Sequence, residues 1–186
     1  MIDTWQHLTP YQPTWKDKFE AEKSRLQSIF GVAALEIEHI GSTSIEGMPS
    51  RPIIDIAVMI ESYKDADGFT DALNQIGYES PPEWRRGGER HFFIRSHPPK
   101  CHLSIAFADQ GGFWHRQIVF RDYLWANQAA HEEYARLKES LLHEYPSGLG
   151  APITGKGEYS NGKTEFVYRI LKLAGWREGQ LYKDKD

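Results

Sequence analysis

Two short segments contain residue types that suit phosphate and metal chemistry. The run Gly41-Ser42-Thr43-Ser44 follows an apolar stretch and could open a short helix. Backbone N–H groups at such a turn bind anions, glycine lets the backbone come close, and hydroxyl groups add hydrogen bonds to phosphate oxygens. Asp55 lies within a β-branched apolar run, and its carboxylate suits a magnesium ion that bridges phosphates. If the two segments are spatial neighbours, they form a phosphate site beside a metal ligand.

The same residues also have an ordinary structural explanation. Gly-Ser-Thr-Ser is a common turn or helix N-cap sequence, and Asp55 could accept hydrogen bonds from backbone N–H groups. Residue types and spacing alone leave both explanations open. The position of Asp55 among Ile53, Ile54 and Ile56 favours function, because an unpaired carboxylate is costly to bury.

The segment HIGSTSIEGMPSRPIIDIAV, residues 39–58, resembles the signature of the GrpB family, a branch of the polymerase-beta-like nucleotidyltransferase superfamily. Its distinctive features are HIGSTS, then Gly47, then Arg51-Pro52, then IIDI. The likeness extends over nearly the whole chain and includes Tyr11, Trp15, residues 120–124, Tyr134, Leu137, Lys138, Tyr159 and Lys163. A Gly-Ser pair alone is a weak signal, whereas this combination is specific.

The resemblance implies an α/β (α+β) fold, with a nucleotidyltransferase-like mixed β-sheet flanked by helices and a helical C-terminal part. It also implies a nucleotide site at Gly41-Ser42. It implies no particular reaction, because the family has no established substrate.

The chain departs from the superfamily where metal ligands are usual. Active superfamily members usually carry a second carboxylate two residues after the first, on the same face of the strand, and here that residue is Ala57. On the predicted strand 101–107, the family often has His-x-His, and this chain has His102 and Ser104. Asp55 with His102, or with His91, could hold zinc or manganese. The alternative is that His102 is a hydrogen-bonded strand histidine.

Several further residues are candidates for ligand contacts. Arg51, on the loop before Asp55, could meet a phosphate or simply be solvated. Tyr159 and Lys163 are spaced to share a helix face, where tyrosine could stack on a base and lysine could neutralise a phosphate. Core packing of Tyr159 with a solvated Lys163 is equally compatible with this spacing.

Two other charged groups are better explained by structure. The arginines Arg85, Arg86 and Arg90 surround Gly87-Gly88, which could close over an anion but is more typical of a soluble hairpin. Arg121 and Asp122 are predicted to form a structural ion pair that orients the helical half.

The hydrophobic pattern predicts the elements that must position these residues. We expect an N-terminal helix over 13–30, strands over 34–40, 53–60, 90–95 and 101–107, and a helix over 65–76 ended by Gly77. A short strand could start at 77–79. Helices follow from Trp114, and the last covers 158–174. The predicted organisation is one domain over 1–186, with a sheet core at 34–108 and a helical part at 112–176.

Composition narrows the function classes. The net charge of −4 and pI of about 6.1 disfavour broad nucleic-acid binding, which usually needs a basic surface. Cys101 is the single cysteine, so no internal disulfide is expected, and no secretory signal or membrane span is apparent. We therefore expect a cytoplasmic protein without a membrane partner, whereas its oligomeric state is not legible.

Two functions follow from these residues. The first is metal-dependent transfer of a nucleotidyl group from a nucleoside triphosphate to a small acceptor. In it, Gly41, Ser42 and Thr43 hold the terminal phosphates, and Asp55 binds Mg²⁺, Mn²⁺ or Zn²⁺. His102 is an auxiliary ligand or base, and Arg51 and Lys163 offset negative charge. The second is a non-catalytic module that binds a nucleotide or phosphorylated metabolite, because Ala57 leaves the carboxylate set incomplete.

Overall fold

The fold is built from six α-helices and four β-strands in the residues that the computed structural model describes, which are 8–80, 88–145 and 158–179. The strands are β1 (Glu36–Ile40), β2 (Ile54–Ile60), β3 (Arg90–Arg95) and β4 (Cys101–Phe107). The helices are α1 (Thr14–Phe30), α2 (Thr70–Gln75), α3 (Phe113–Ala126), α4 (Gln128–Glu144), α5 (Glu158–Asn161) and α6 (Thr164–Leu173). Short 3-10 turns cover Gly31–Ala33, Ser42–Ser44 and Tyr63–Phe69.

The four strands form one mixed sheet in the order β1-β2-β4-β3. The central pair, β2 and β4, is parallel, and each edge strand is antiparallel to its neighbour. Parallel strands at the centre are covered on both faces, and the β-branched run of β2 has the continuous apolar character that such strands need. This confirms the predicted mixed sheet flanked by helices.

The two faces of the sheet pack against different helices. On one face, Ile56, Val58, Leu103 and Ile105 join a core with apolar residues of α1 such as Leu26. On the other, Ala57, Met59 and Ala106 pack with Phe113 and Trp114 of α3. Because side chains alternate along a strand, Asp55 shares the α3 face with Ala57.

A third cluster joins the loop after β1 to the helical C-terminal part. Ile45 and Met48 of this loop are buried with Leu124, Tyr134 and Ile170, which come from α3, α4 and α6. The apolar faces of the C-terminal helices therefore pack on the loop that carries the Gly-Ser motif. This packing brings α4 and α6 to the edge of the sheet where β2 begins.

Most predicted elements agree with the structure. The strands at 90–95 and 101–107 have the expected bounds, and the first helix starts one residue after Pro13 and ends before Gly31, which has a φ of 54°. Gly77, with a φ of 88°, follows the 63–76 helical region, of which only Thr70–Gln75 is α-helical. Near 77–79 there is an isolated bridge between Glu79 and Ile94. The predicted turn around Gly87 lies, with Arg85 and Arg86, outside the described residues.

The prediction of one continuous helix over 158–174 was wrong. The segment is divided into α5 and α6, with Gly162 and Lys163 between them. Gly162 packs closely on α4, since a Cβ there would lie 2.3 Å from Leu141 Cδ2. Helical periodicity continues on both sides of the break, so the pattern did not reveal it. Within the described part of the chain, no helix is long and apolar enough to cross a membrane.

Candidate functional site

The Gly-Ser motif forms a tight turn at the end of β1. Gly41 has a φ of 70° and a ψ of −174°, a conformation that is essentially restricted to glycine. Ser44 closes the turn, because its Oγ donates to the Gly41 carbonyl at 2.6 Å. A Cβ on Gly41 would lie 2.4 Å from Asp55 Oδ2, so the close approach that glycine permits here is to the Asp55 carboxylate.

Asp55 and His102 are paired across the two central strands. They are direct partners in the parallel register, and His102 Nδ1 lies 3.0 Å from Asp55 Oδ1. Burial would raise the pKa of Asp55, but the His102 hydrogen bond and the positive charge of Arg51 outweigh it and hold that pKa below its ordinary value. Asp55 is therefore an ionised carboxylate near neutral pH, and its side chain is about one-third exposed.

A cavity of about 180 Å³ opens beside this pair. We call it the anion cavity. It is lined by Leu8, Gly41, Ser42, Thr43, Ser50, Arg51, Ile53, Asp55, His102, Tyr134, Lys138, Tyr159 and Lys163. All eight residues that the sequence nominated as a site, from Gly41 to Lys163, thus surround a single cavity.

Three basic side chains converge on the anion cavity. Lys138, on α4, is 2% exposed, and its Nζ donates to the Pro49 carbonyl at 2.5 Å. Burial, reinforced by the charge of Lys163, lowers the pKa of Lys138 to about 7. Burial also lowers the pKa of Lys163 to about 8, and the charge of Arg51 adds to that shift. A cluster of partly desolvated cations beside one carboxylate is suited to bind an anion.

Each of the two lysines makes a cation–π contact with a tyrosine one helical turn earlier in the sequence. Lys163 Nζ lies 4.5 Å from the ring centre of Tyr159, and Lys138 Nζ lies 5.0 Å from that of Tyr134. Tyr159 is 3% exposed, and burial raises its pKa to about 12. Burial also raises the pKa of Tyr134, while a hydrogen bond with the Ser42 side chain acts in the opposite direction. The break between α5 and α6 does not separate Tyr159 from Lys163.

Thr43 lines the cavity, but its hydroxyl has other contacts. Thr43 Oγ1 donates to the Ile53 carbonyl at 3.0 Å, and His39 Nε2 lies 3.0 Å away on another side. The threonine therefore ties the turn to the start of β2. Ser42 is the hydroxyl residue of the motif that remains better placed for a ligand.

The positions where superfamily members usually carry further metal ligands have other contacts here. Ala57 pairs with Ser104 in the register, and Ser104 Oγ accepts a hydrogen bond from Arg90 Nη1 at 2.7 Å. The Arg90 guanidinium lies 4.6 Å from the ring centres of both Phe92 and Phe113. A cation therefore already occupies the region next to Ala57.

The predicted pairing of Asp55 with His91 at a metal was wrong. His91 pairs with Ile105 and contacts the ring of Phe107, so it lies on the α1 face of the sheet, opposite Asp55. In the described ranges 8–80, 88–145 and 158–179, no group of three or more His, Cys, Asp or Glu side chains could hold a metal. Zinc typically takes at least three protein ligands, whereas Asp55 and His102 supply two. Magnesium or manganese fits better, because one carboxylate plus ligand phosphates can hold it.

The predicted ion pair of Arg121 and Asp122 is confirmed. Arg121 Nε donates to Asp122 Oδ1 at 2.8 Å, and Nη1 reaches both Glu38 Oε2 at 2.6 Å and the His39 carbonyl at 2.8 Å. These contacts join α3 to the edge strand β1.

Lys138 and Tyr134 were not identified as site residues from the sequence. They entered only as part of the family likeness. Lys138 follows Tyr134 by one helical turn on the buried stripe of α4, together with Leu141. A lysine in a core stripe is unusual, because charged side chains are rarely fully buried. The presence of a lysine in the apolar stripe of α4 could have identified Lys138 as a candidate site residue.

Comparison with known proteins agrees with this architecture. The sequence model of the family described as "GrpB protein" matches residues 6–173. The chain belongs to the GrpB family. The glutamate-rich protein GrpB of Alkalihalophilus pseudofirmus is 35% identical over 168 residues, which cover 88% of this chain and 92% of that relative.

A solved GrpB structure shows the same fold. The conserved protein GrpB from Enterococcus faecalis superposes with a TM-score of 0.78 and 31% identity, over 90% of this chain and 96% of that chain. A Cid1 poly(U) polymerase structure matches 70% of this chain and 45% of that one, with 13% identity and a TM-score of 0.39.

Proposed function

We propose that the anion cavity binds the phosphate groups of a nucleotide or a similar phosphorylated small molecule. The observation that supports this is the convergence of Arg51, Lys138 and Lys163 around a cavity with one acid, Asp55. The Ser42 hydroxyl adds a neutral hydrogen-bonding group beside them. Partly desolvated cations bind phosphate more strongly than exposed ones, because water screens them less.

Nucleotidyl transfer is a second candidate, and the Asp55–His102 pair favours it. An ionised Asp55 can only accept, so His102 Nδ1–H donates the hydrogen bond between them. In this tautomer of the uncharged imidazole the lone pair is on Nε2, which can then act as a general base. Asp55 would orient this imidazole and, with the ligand phosphates, could hold one magnesium or manganese ion that neutralises charge. His102 would take the proton of an acceptor hydroxyl as that oxygen bonds to the α-phosphorus and the bond to pyrophosphate breaks. Lys163 and Arg51 would offset the charge of the departing pyrophosphate.

Calorimetry with ATP separates the two candidates. The titration is performed with and without Mn²⁺ on the wild type, Asp55→Asn and Lys163→Gln, with Lys172→Gln as the control because Lys172 is an exposed lysine of α6. Loss of one charge-assisted contact, about 1.5–3 kcal/mol, should weaken binding by roughly tenfold or more in Lys163→Gln and leave Lys172→Gln unchanged.

The Asp55→Asn result then decides between the functions. Binding that needs no metal and persists or strengthens in Asp55→Asn supports a binding module. Binding that needs Mn²⁺ and is lost in Asp55→Asn supports transfer chemistry. Absence of ATP binding under every metal condition would contradict both. A cytoplasmic location is part of the same proposal and is supported by the single cysteine, Cys101, which is free.

A further inference from the structure

A second cavity lies on the other side of the Gly41–Ser44 turn. It has a volume of about 510 Å³ and lies between α1 and α3 at the open edge of β1. Three of its aromatic wall residues are Tyr11, Phe19 and Trp125, so we call it the aromatic cavity. Its size is within the range of small-molecule sites in proteins. Thr43 lines both cavities.

Trp125 is exposed but held in a fixed position. Its side chain is 53% exposed, yet Nε1 donates to the Ser44 carbonyl at 3.1 Å. The Arg121 guanidinium lies 4.5 Å from its ring centre, and Arg121 is itself held by Glu38 and Asp122. A tryptophan that is fixed at its indole nitrogen and over its ring loses little entropy when a ligand stacks on it.

The charges around the aromatic cavity balance. The three basic side chains of its wall are Lys16, Lys23 and Arg121, and the three acidic ones are Glu20, Glu38 and Glu46. Burial lowers the pKa of His39, which also lines this cavity, to about 4, so this histidine is neutral near pH 7. The anion cavity, by contrast, has three bases and one acid. Ions of either sign therefore gain little net attraction here.

We propose that the aromatic cavity binds an uncharged small molecule whose ring packs face-on against Trp125, either the flat face of a nucleobase or the C–H face of a sugar. Aromatic walls and balanced charges select such a ligand over a phosphate. Binding of the ring itself does not depend on phosphate binding.

The test uses adenosine and methyl β-glucoside as separate probes, measured by saturation-transfer NMR on the full chain. Trp125→Ala should weaken binding of the responding probe by about fivefold or more, given the usual strength of ring stacking. Trp125→Phe should restore part of the affinity, because it keeps a ring but loses the hydrogen bond to the Ser44 carbonyl. Tyr168→Ala is the control, since Tyr168 is 59% exposed on α6, outside this cavity.

The probes also distinguish the source and the site. A response from adenosine alone assigns an aromatic ligand, and a response from the glucoside alone assigns a sugar. The response should persist in Lys163→Gln and in the presence of inorganic triphosphate. Failure of triphosphate to bind would contradict the proposed function of the anion cavity but not the binding of the ring. The proposal is overturned if neither probe binds, or if binding of the responding probe is unchanged in Trp125→Ala. Thermal unfolding of each variant shows that the fold is retained.

Discussion

Gly41, in the turn after β1, lies directly against the carboxylate of Asp55, near the start of β2. Asp55 is the antiparallel partner of Ile40, so the turn that starts at Gly41 passes directly over the carboxylate. A methyl group on Gly41 would lie 2.4 Å from Asp55 Oδ2 and 2.9 Å from its Cβ. The glycine of the motif therefore leaves room for the carboxylate of the next strand, and the two residues form one structural unit.

Replacement of Gly41 by alanine should destabilise the fold and disturb the anion cavity. The backbone conformation is unfavourable for alanine by about 1–3 kcal/mol, and the overlap with Asp55 adds a further cost of similar size. Chemical denaturation of Gly41→Ala measures the sum. Gly31→Ala is the matched control, because Gly31 also has a positive φ of 54° but has nothing within 4 Å of the added Cβ. Equal losses in the two variants would show that the Asp55 contact is unimportant.

Binding of inorganic triphosphate should weaken as the pH rises from about 6.5 to 9. Below this range Lys138 and Lys163 are protonated, and above it both are neutral, because their pKa values are about 7 and about 8. Loss of a charge-assisted hydrogen bond of about 1.5–3 kcal/mol should reduce affinity by roughly tenfold or more. Calorimetry in buffers of different ionisation enthalpy should also detect proton uptake on binding.

Lys163→Arg is the control for this pH dependence. Arginine stays protonated, so affinity should fall less steeply with pH than in the wild type. The ligand's own titration is common to both proteins and cancels in the comparison. Parallel pH profiles for the wild type and Lys163→Arg would mean that Lys163 does not titrate near pH 8.

A carboxylate introduced at position 57 should pair with Arg90 rather than create a metal site. Arg90 donates to Ser104, the direct strand neighbour of Ala57, and is therefore within reach. Ala57→Asp should lose moderate stability, and Ala57→Asp with Arg90→Gln should lose about 3–5 kcal/mol more, because the buried carboxylate then has no partner. Mn²⁺ should stabilise only the double variant in unfolding experiments. Equal Mn²⁺ stabilisation with Arg90 present would place Arg90 away from position 57.

The buried pair of Glu22 and Arg95 should be a major determinant of stability. Arg95 donates to both Glu22 oxygens at 2.8 Å, and the two side chains are 2% and 3% exposed. Glu22→Gln leaves an uncompensated buried cation and should cost about 3–5 kcal/mol in the free energy of unfolding. Glu133→Gln breaks the exposed pair with Arg169 and should cost at most about 1 kcal/mol. A small loss in Glu22→Gln would indicate that water reaches Arg95.

The strands could be predicted from the sequence because their signals are local. The β-branched run of β2 and the apolar and aromatic residues of β3 and β4 reflect how each side chain meets its immediate surroundings. Gly31 and Gly77 ended helices where they were expected to, since a positive φ is a property of one residue. The break at Gly162 could not be predicted, because it depends on Leu141 of another helix.

The sequence by itself predicted where the candidate site lies, because the Gly41-Ser42 turn, Asp55 and Lys163 follow from residue types and the family resemblance. Tertiary structure decided how these residues are used. The parallel register of β2 and β4 placed His102 against Asp55 and turned His91 to the opposite face. Packing of α4 on the loop after β1 buried Lys138 beside Lys163. Such relationships depend on contacts between distant segments, and no local pattern encodes them.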